Sequence, residues 1–259
     1  MFIHNLDPIF INLGPLEIRW YSMAYIIGIL MGWWLGKKLF RKKAEILNQD
    51  INSKIFDDLI TIIIFAIILG GRIGYVMFYN LSFYIDNPLN IIKIWEGGMS
   101  FHGALIGIVI GTYLFAKKRN IKTFFLLDII ACVAPIGIFF GRIANFINSE
   151  LYGHPVNIFW SVIFQSIDNV PRHPSQLYEA LSEGLLLFII LNFINLKKNM
   201  KTGCISSLFL ILYGIFRIFC EQFRVPDEQI GYMFELISMG SLLSFAMITL
   251  GIFIFTRLK

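Results

Sequence analysis

The chain has 259 residues, of which 57% are hydrophobic, with a mean hydropathy of +0.70 and a formal net charge of +5. That apolar content excludes a water-soluble domain and fits a polytopic membrane protein with room for about seven spans. The apolar runs are continuous rather than alternating, which favours helices over a barrel, and the positive charge reads as a topology signal rather than a nucleic-acid surface.

Residues 1–19 are apolar segments broken by Pro8, Gly14 and Pro15 and end at Trp20 and Tyr21. They read as an arm lying in the outer interface. With Asp7 and Glu17 and no basic start, they do not read as a cleavable signal peptide. The hydropathy pattern predicts seven helices over residues 20–38, 56–79, 99–116, 124–147, 176–196, 204–223 and 235–256, in a single all-α transmembrane domain covering 1–259. Residues 148–175 are the longest loop and read as an external lid or small head.

Fifteen of the 22 Lys and Arg fall in four clusters: Lys37, Lys38, Arg41, Lys42, Lys43 and Lys54; Lys117, Lys118, Arg119 and Lys122; Lys197, Lys198 and Lys201; Arg257 and Lys259. These follow the first, third, fifth and seventh spans, so the positive-inside rule puts the N-terminus outside and the C-terminus in the cytoplasm. Cys132, Cys204 and Cys220 lie in or beside spans without a CxxC partner, and read as small buried hydrophobes. There is no internal repeat of the kind that builds many transporters.

The remaining basic residues include Arg72, Arg142 and Arg217, which sit in or at the end of apolar stretches. A charge in hydrocarbon costs ~2.5–3.5 kcal/mol, so each needs a reason. In GRIANFINSELYG, residues 141–153, Arg142, Asn145 and Ser149 repeat at helical spacing. Asn148 and Glu150 follow where the helix should end, and Gly153 permits backbone geometry that other residues resist. In RIFCEQFRVPDEQIG, residues 217–231, Arg217, Glu221 and Arg224 share a face. Arg217 and Glu221 can pair, holding the guanidinium rigid while leaving donors for a ligand. In EGGMSFHGALIG, residues 96–107, His102 opens a span among glycines that let a backbone or ligand approach, and it titrates near neutral pH. In PRHPSQLYEA, residues 171–180, Pro174 and Ser175 start a helix and Glu179 suits its dipole. Arg72 and Asp128 either pair across helices or Arg72 joins the site. The arginines at one membrane face suggest an anion site. GxSxG, HExxH and lysine-linked phosphate-loop patterns are absent, so chemistry would run on Arg, His, Tyr, Asn and Glu.

These strings resemble the bacterial phosphatidylglycerol–prolipoprotein diacylglyceryl transferases. GRIANFINSELYG is similar to the family signature and FHGALIG to its HGG motif. RHPSQLYEA, RVPDEQIG, the LGPLEIRWYSMAY arm and ISMG at 237–240 follow the family's order across nearly the whole chain. Ala104 stands where a second Gly is usual, and Ser241 where Gln often follows ISMG. The resemblance implies a multi-pass protein of the bacterial inner membrane, with its site toward the outer face and no metal or diffusible cofactor. Its partners are phosphatidylglycerol and the lipobox cysteine of a prolipoprotein signal peptide. On this basis Arg142 and Arg217 are expected to clamp phosphate. Tyr25, Asn145 and Asn148 would bond the head group, Glu150 and Glu221 would orient the arginines, and His102 would be the general base. Gly153 and Arg224 complete the expected binding set. The alternative is a transporter or flippase for an anionic lipid, which would form no new covalent bond.

Overall fold

The structure is a computed structural model that describes residues 1–14, 16–46, 51–195, 197, 200–225, 232–233 and 237–258. The chain is mostly helical: α1 Trp20–Ile46, α2 Lys54–Tyr79, α3 Leu81–Asp86, α4 Phe101–Arg119, α5 Thr123–Ile147, α6 Ser175–Asn195, α7 Cys204–Glu221 and α8 Met239–Arg257. Helices occupy each expected segment. Among the described residues α2, α5, α6, α7 and α8 are long and apolar enough to cross a membrane. In α1 and α4 the hydropathy is diluted by Trp, Tyr and Gly and by the terminal lysines. Residues 235–236 of the last expected span, and most of RVPDEQIG, lie outside the described residues.

The amendment to an all-α reading is a set of short strands: β1 Phe2–His4, β2 Ile9–Leu13, β3 Leu16–Arg19, β4 Val162–Phe164, β5 Pro171–Arg172, β6 Tyr232–Met233 and β7 Ile237–Ser238. The expected arm is a β2–β3 hairpin preceded by β1. β1 runs parallel to β4, which is antiparallel to β5, so residues 2–4 complete a three-stranded sheet with the 148–175 segment. This escaped sequence reasoning because three-residue strands carry no readable alternation. On the edge strand β1, His4 is buried against Phe146 and Phe164, with its Nδ1 3.2 Å from Ser149 Oγ.

The chain forms two compact units, Met1–Gly36 with Asp128–Lys259, and Lys37–Leu127. In the second unit, α2 and α4 touch backbone to backbone. A methyl added at Gly103 would collide with the Gly70 carbonyl oxygen and lie 2.8 Å from the Gly74 Cα. Small residues permit this approach, which supplies packing that lipid cannot. The glycine beside His102 therefore serves the α2 backbone. Phe40 and Phe56 are fully buried, and the Phe40 ring meets both Phe56 and Phe125. Lys37 pairs with Asp57 and Arg119 with Asp58, each at 2.6 Å. Arg72 donates to the carbonyls of Asn90, Ile91, Lys93, Gly97 and Gly98, knitting the irregular 87–98 segment to α2.

In the first unit, Asp128 accepts from the backbone N–H groups of Gly203 and Ser206 and from Ser206 Oγ at 2.8–2.9 Å, capping α7. Asp128 and Arg72 thus each have a backbone-organising task. The three cysteines are buried, and among the described residues they form no disulfide.

Gly103→Ala should destabilise the protein by about 1–3 kcal/mol through overpacking. Gly137→Ala, where the added methyl meets nothing within 4 Å, should not; thermal melts in detergent compare them. Burial pushes the His4 imidazole below its usual range. The folded state then binds fewer protons than the unfolded state, so this contribution is complete above about pH 6.5 and is lost as pH falls. Amide exchange at residues 2–4 and 162–164, corrected for intrinsic rates, should speed up at pH 5.5 relative to 7.5 in the native protein but not in His4→Asn.

Candidate active site

Three helices bring six charges together. Arg142 of α5 places Nη1 2.9 Å from Glu179 Oε2 and Nη2 3.0 Å from Glu183 Oε2. Arg217 of α7 pairs through Nη1 with Glu179 Oε1, lies 3.8 Å from Glu183 Oε1, and reaches Glu221 Oε2 at 2.7 Å. Arg224, just beyond α7, puts Nη1 3.4 Å from Glu179 Oε1. Glu179 and Glu183 are completely buried, while the Arg142 and Arg217 side chains keep 16% and 11% exposure. An unpaired buried ion costs several kcal/mol, so charges here persist only as partners. Three arginines face three glutamates, and the cluster is formally neutral.

The four-residue spacing of Glu179 and Glu183 lets α6 present two carboxylates on one face, and the backbone between them departs from a regular α-helix. Residues Ala180–Leu186 are π-helical, a widened turn that often marks functional positions. Glu179 precedes it and Glu183 lies within it. Gly184 fits because a methyl there would sit 2.7–2.8 Å from Cβ and Cα of Phe139 on α5. From the other side Gly240, the last residue of ISMG, lets α8 approach. A methyl there would be 2.9 Å from Glu221 Oε1 and 3.2 Å from Arg217 Nη2.

A second polar group surrounds the end of α5. Asn145 Nδ2 donates to Glu150 Oε2 at 3.1 Å and to the Tyr21 hydroxyl at 3.4 Å, and Asn148 Nδ2 donates to Glu150 Oε1 at 3.3 Å. The Tyr21 and Tyr25 rings are 5.3 Å apart on α1, with Tyr25 more than half exposed. The signature and RHPSQLYEA interlock: Ser175 Oγ donates to the Leu151 carbonyl at 2.9 Å and Gln176 Nε2 to the Glu150 carbonyl at 2.6 Å.

The predicted residues therefore fall into groups. Arg142, Arg217, Glu221 and Arg224 join directly, with the Arg217–Glu221 pair at the expected spacing. Asn145, Asn148 and Glu150 meet one another near Tyr25. Glu150 was expected to orient the arginines; instead it receives the two asparagines, and Glu179 and Glu183 join Glu221 on the guanidinium groups. Ser149 leaves the expected face because α5 ends at Ile147 and Ser149 takes φ +57°, turning toward His4. Gly153 does not need left-handed backbone. Its reason is space, since a methyl would lie 2.5 Å from the carbonyl oxygens of His173 and Phe223. It also bridges to the Arg224 backbone. His102 belongs to the other unit, as the second residue of α4, half-buried and edge-on to Phe101.

Sequence reasoning missed Glu183 and underestimated Glu179, which it read as a dipole-favourable carboxylate. The available signal was the spacing: carboxylates four residues apart in an apolar span demand cationic partners.

Each guanidinium has five N–H donors. Among the described residues, the ion pairs engage two nitrogens of Arg142 and two of Arg217, leaving N–H groups over for an incoming anion on partly exposed side chains.

A family profile described as prolipoprotein diacylglyceryl transferase matches residues 8–257. The chain belongs to the prolipoprotein diacylglyceryl transferase family. Among its relatives, the phosphatidylglycerol–prolipoprotein diacylglyceryl transferase of Rickettsia typhi is 48% identical over 261 residues, covering 100% of this chain and 99% of that protein. Proteins of the same name from Rickettsia bellii and Rickettsia akari are 47% and 49% identical, covering 99% and 97% of this chain and 97% and 96% of their own lengths. This member of the transferase family is a multi-pass membrane protein whose charged cluster joins α5, α6 and α7.

Glu179→Ala would remove the carboxylate shared by Arg142, Arg217 and Arg224 and leave the buried cluster with one excess positive charge; it should cost the transferase-family protein about 3–5 kcal/mol, measured as a loss of thermal stability in detergent. Glu150→Ala, at an exposed carboxylate that accepts from Asn145 and Asn148, should cost much less.

Proposed function

We propose that this chain transfers the diacylglyceryl group of phosphatidylglycerol to the lipobox cysteine thiol of a prolipoprotein, forming a thioether and releasing glycerol phosphate. Family membership supports the reaction class. The observation that carries the chemical reading is the Arg142–Arg217 pair, oriented by buried glutamates and retaining donors on partly exposed side chains.

In this reaction the cysteine loses its proton and its sulfur attacks a glycerol carbon. The bond from that carbon to the phosphate oxygen breaks, and its electron pair leaves with glycerol phosphate. The charge growing on the departing phosphate needs donors already in place. Arginine forks suit phosphate oxygens, and fixed donors away from bulk water stabilise a transition state strongly. Asn145, Asn148 and Tyr25 are assigned to the lipid head group, with Glu150 holding the asparagines. Gly153 supports the site through the close backbone approach around Arg224. His102 is assigned as the base for the thiol, whose ordinary pKa near 8.5 leaves little thiolate at neutral pH.

The orientation belongs to the same proposal: seven crossings of the inner membrane, N-terminus outside, C-terminus cytoplasmic, and the site toward the outer face. The basic last turns of α1, α4 and α8 support this topology.

Purified protein, phosphatidylglycerol and a single-cysteine lipobox peptide should yield a diacylglyceryl thioether detectable by mass spectrometry. A Cys→Ser peptide should give none. Arg142→Ala should lower turnover by about 10²–10³-fold. Absence of product from the native protein with phosphatidylglycerol bound would favour lipid transport. In the same assay His102→Ala should lose most turnover and recover part of it at high pH, as the thiol ionises unaided. No recovery would remove His102 from the base role.

A further inference from the structure

Orienting two arginines does not require every carboxylate in the cluster. Glu179 alone reaches Arg142, Arg217 and Arg224, and Glu221 holds the other terminal nitrogen of Arg217. Glu183 adds one close contact, to Arg142 Nη2 at 3.0 Å, and sits 3.8 Å from Arg217. Its Oε1 is buried without a hydrogen-bond partner. Glu179 Oε2 and Glu221 Oε2 are in the same state, yet they lie 2.9 and 2.7 Å from a guanidinium nitrogen, whereas Glu183 Oε1 is 3.8 Å from Arg217; that oxygen braces nothing closely, and an unsatisfied buried polar atom is costly. Ionised, Glu183 contributes a negative charge besides one bond to an already anchored arginine.

That charge alters the arithmetic of the site. With Glu183 the cluster of Arg142, Arg217, Arg224, Glu179, Glu183 and Glu221 is neutral; without it the cluster carries one net positive charge. A phosphate attracted to guanidinium groups is repelled by Glu183 across a buried, weakly screened space. Transition-state catalysis favours such a balance. Arginines that held phosphate too tightly before or after reaction would slow turnover or product release.

We infer that Glu183 is a counter-anion built into the site, whose buried charge holds down the affinity of Arg142 and Arg217 for phosphate so that the glycerol phosphate product leaves. Product departure rests on the transferase reading above; the restraint on anion affinity is a property of the cluster alone. Glu183 is fully buried and acts through the arginines as a positioning residue, tuning their charge rather than touching substrate.

The two possible roles predict opposite signs. Removing a restraining charge strengthens anion binding, whereas removing a brace weakens it. The test uses the full-length protein in detergent with glycerol phosphate as the probe, measuring its dissociation constant by calorimetry and its inhibition constant in the thioether assay. Glu183→Gln preserves shape and removes charge; Glu183→Asp preserves charge. The expected result is roughly tenfold tighter glycerol phosphate binding by Glu183→Gln, with a lower KM for phosphatidylglycerol and a reduced kcat as release slows. Glu183→Asp should remain near the native affinity. Unchanged or weaker binding by Glu183→Gln, in protein whose thermal melt remains cooperative, overturns the inference, as does native protein that binds no glycerol phosphate. The calorimetric constant does not depend on turnover. A native protein that makes no thioether, while its Gln variant binds the probe more tightly, would defeat the transferase reading and leave the counter-anion standing.

Discussion

Burying Glu179 is the constraint around which the first unit is organised. A carboxylate with no solvent contact, in a span crossing hydrocarbon, is tolerable only where cations reach it. It receives them from two directions: Arg142 from α5, and Arg217 and Arg224 from α7 and the segment beyond it. Three helices are thereby held at distances set by side-chain length. Hydrophobic attraction cannot do this in a membrane, because lipid tails solvate Leu and Phe as well as a neighbouring helix does. Polar pairing supplies the specificity that apolar packing supplies in a water-soluble core.

Close backbone approaches then determine which faces meet. Gly184 seats α6 against Phe139, Gly240 seats α8 against the Arg217–Glu221 pair, and Gly153 threads between the carbonyls of His173 and Phe223. Sequence motifs that lie far apart thus describe one junction: the end of the signature, the start of α6 and the end of α7 are joined through Ser175, Gln176, Gly153 and Arg224. Their order along the chain reflects the helices that carry them, and their chemistry reflects this meeting point.

Much of this architecture is legible in the sequence because hydrocarbon penalises exceptions. Long apolar runs have to be helices, and a charged side chain within one advertises a partner. Arg142, Arg217 and Glu221 stand out for that reason, and the spacing of Arg217 and Glu221 predicts their pair. Other features are hidden for equally physical reasons. The π turn in α6 changes hydrogen-bond register without leaving a compositional mark, so it is invisible in the sequence, although the four-residue spacing of Glu179 and Glu183 already places them on one face. Ser149 looks helical by spacing but lies past the helix end. Glu150 looks like an arginine partner by proximity in sequence, while the true partners come from α6 and α7. β1 is three residues long and finds its mate in a segment with no strand pattern of its own.

The pairing of β1 with β4 has a consequence for how the chain is made. Phe2 aligns with Val162, so β1, once synthesised, waits for about 160 further residues before its partner exists. At translation rates of about 5–20 residues per second that interval is roughly 8–32 s, far longer than local helix formation, which takes about a microsecond. The earlier helices have time to form and enter the bilayer during the wait. Residues 2–4 are made well before their native neighbours, and the small sheet closes only once residues 162–172 have followed.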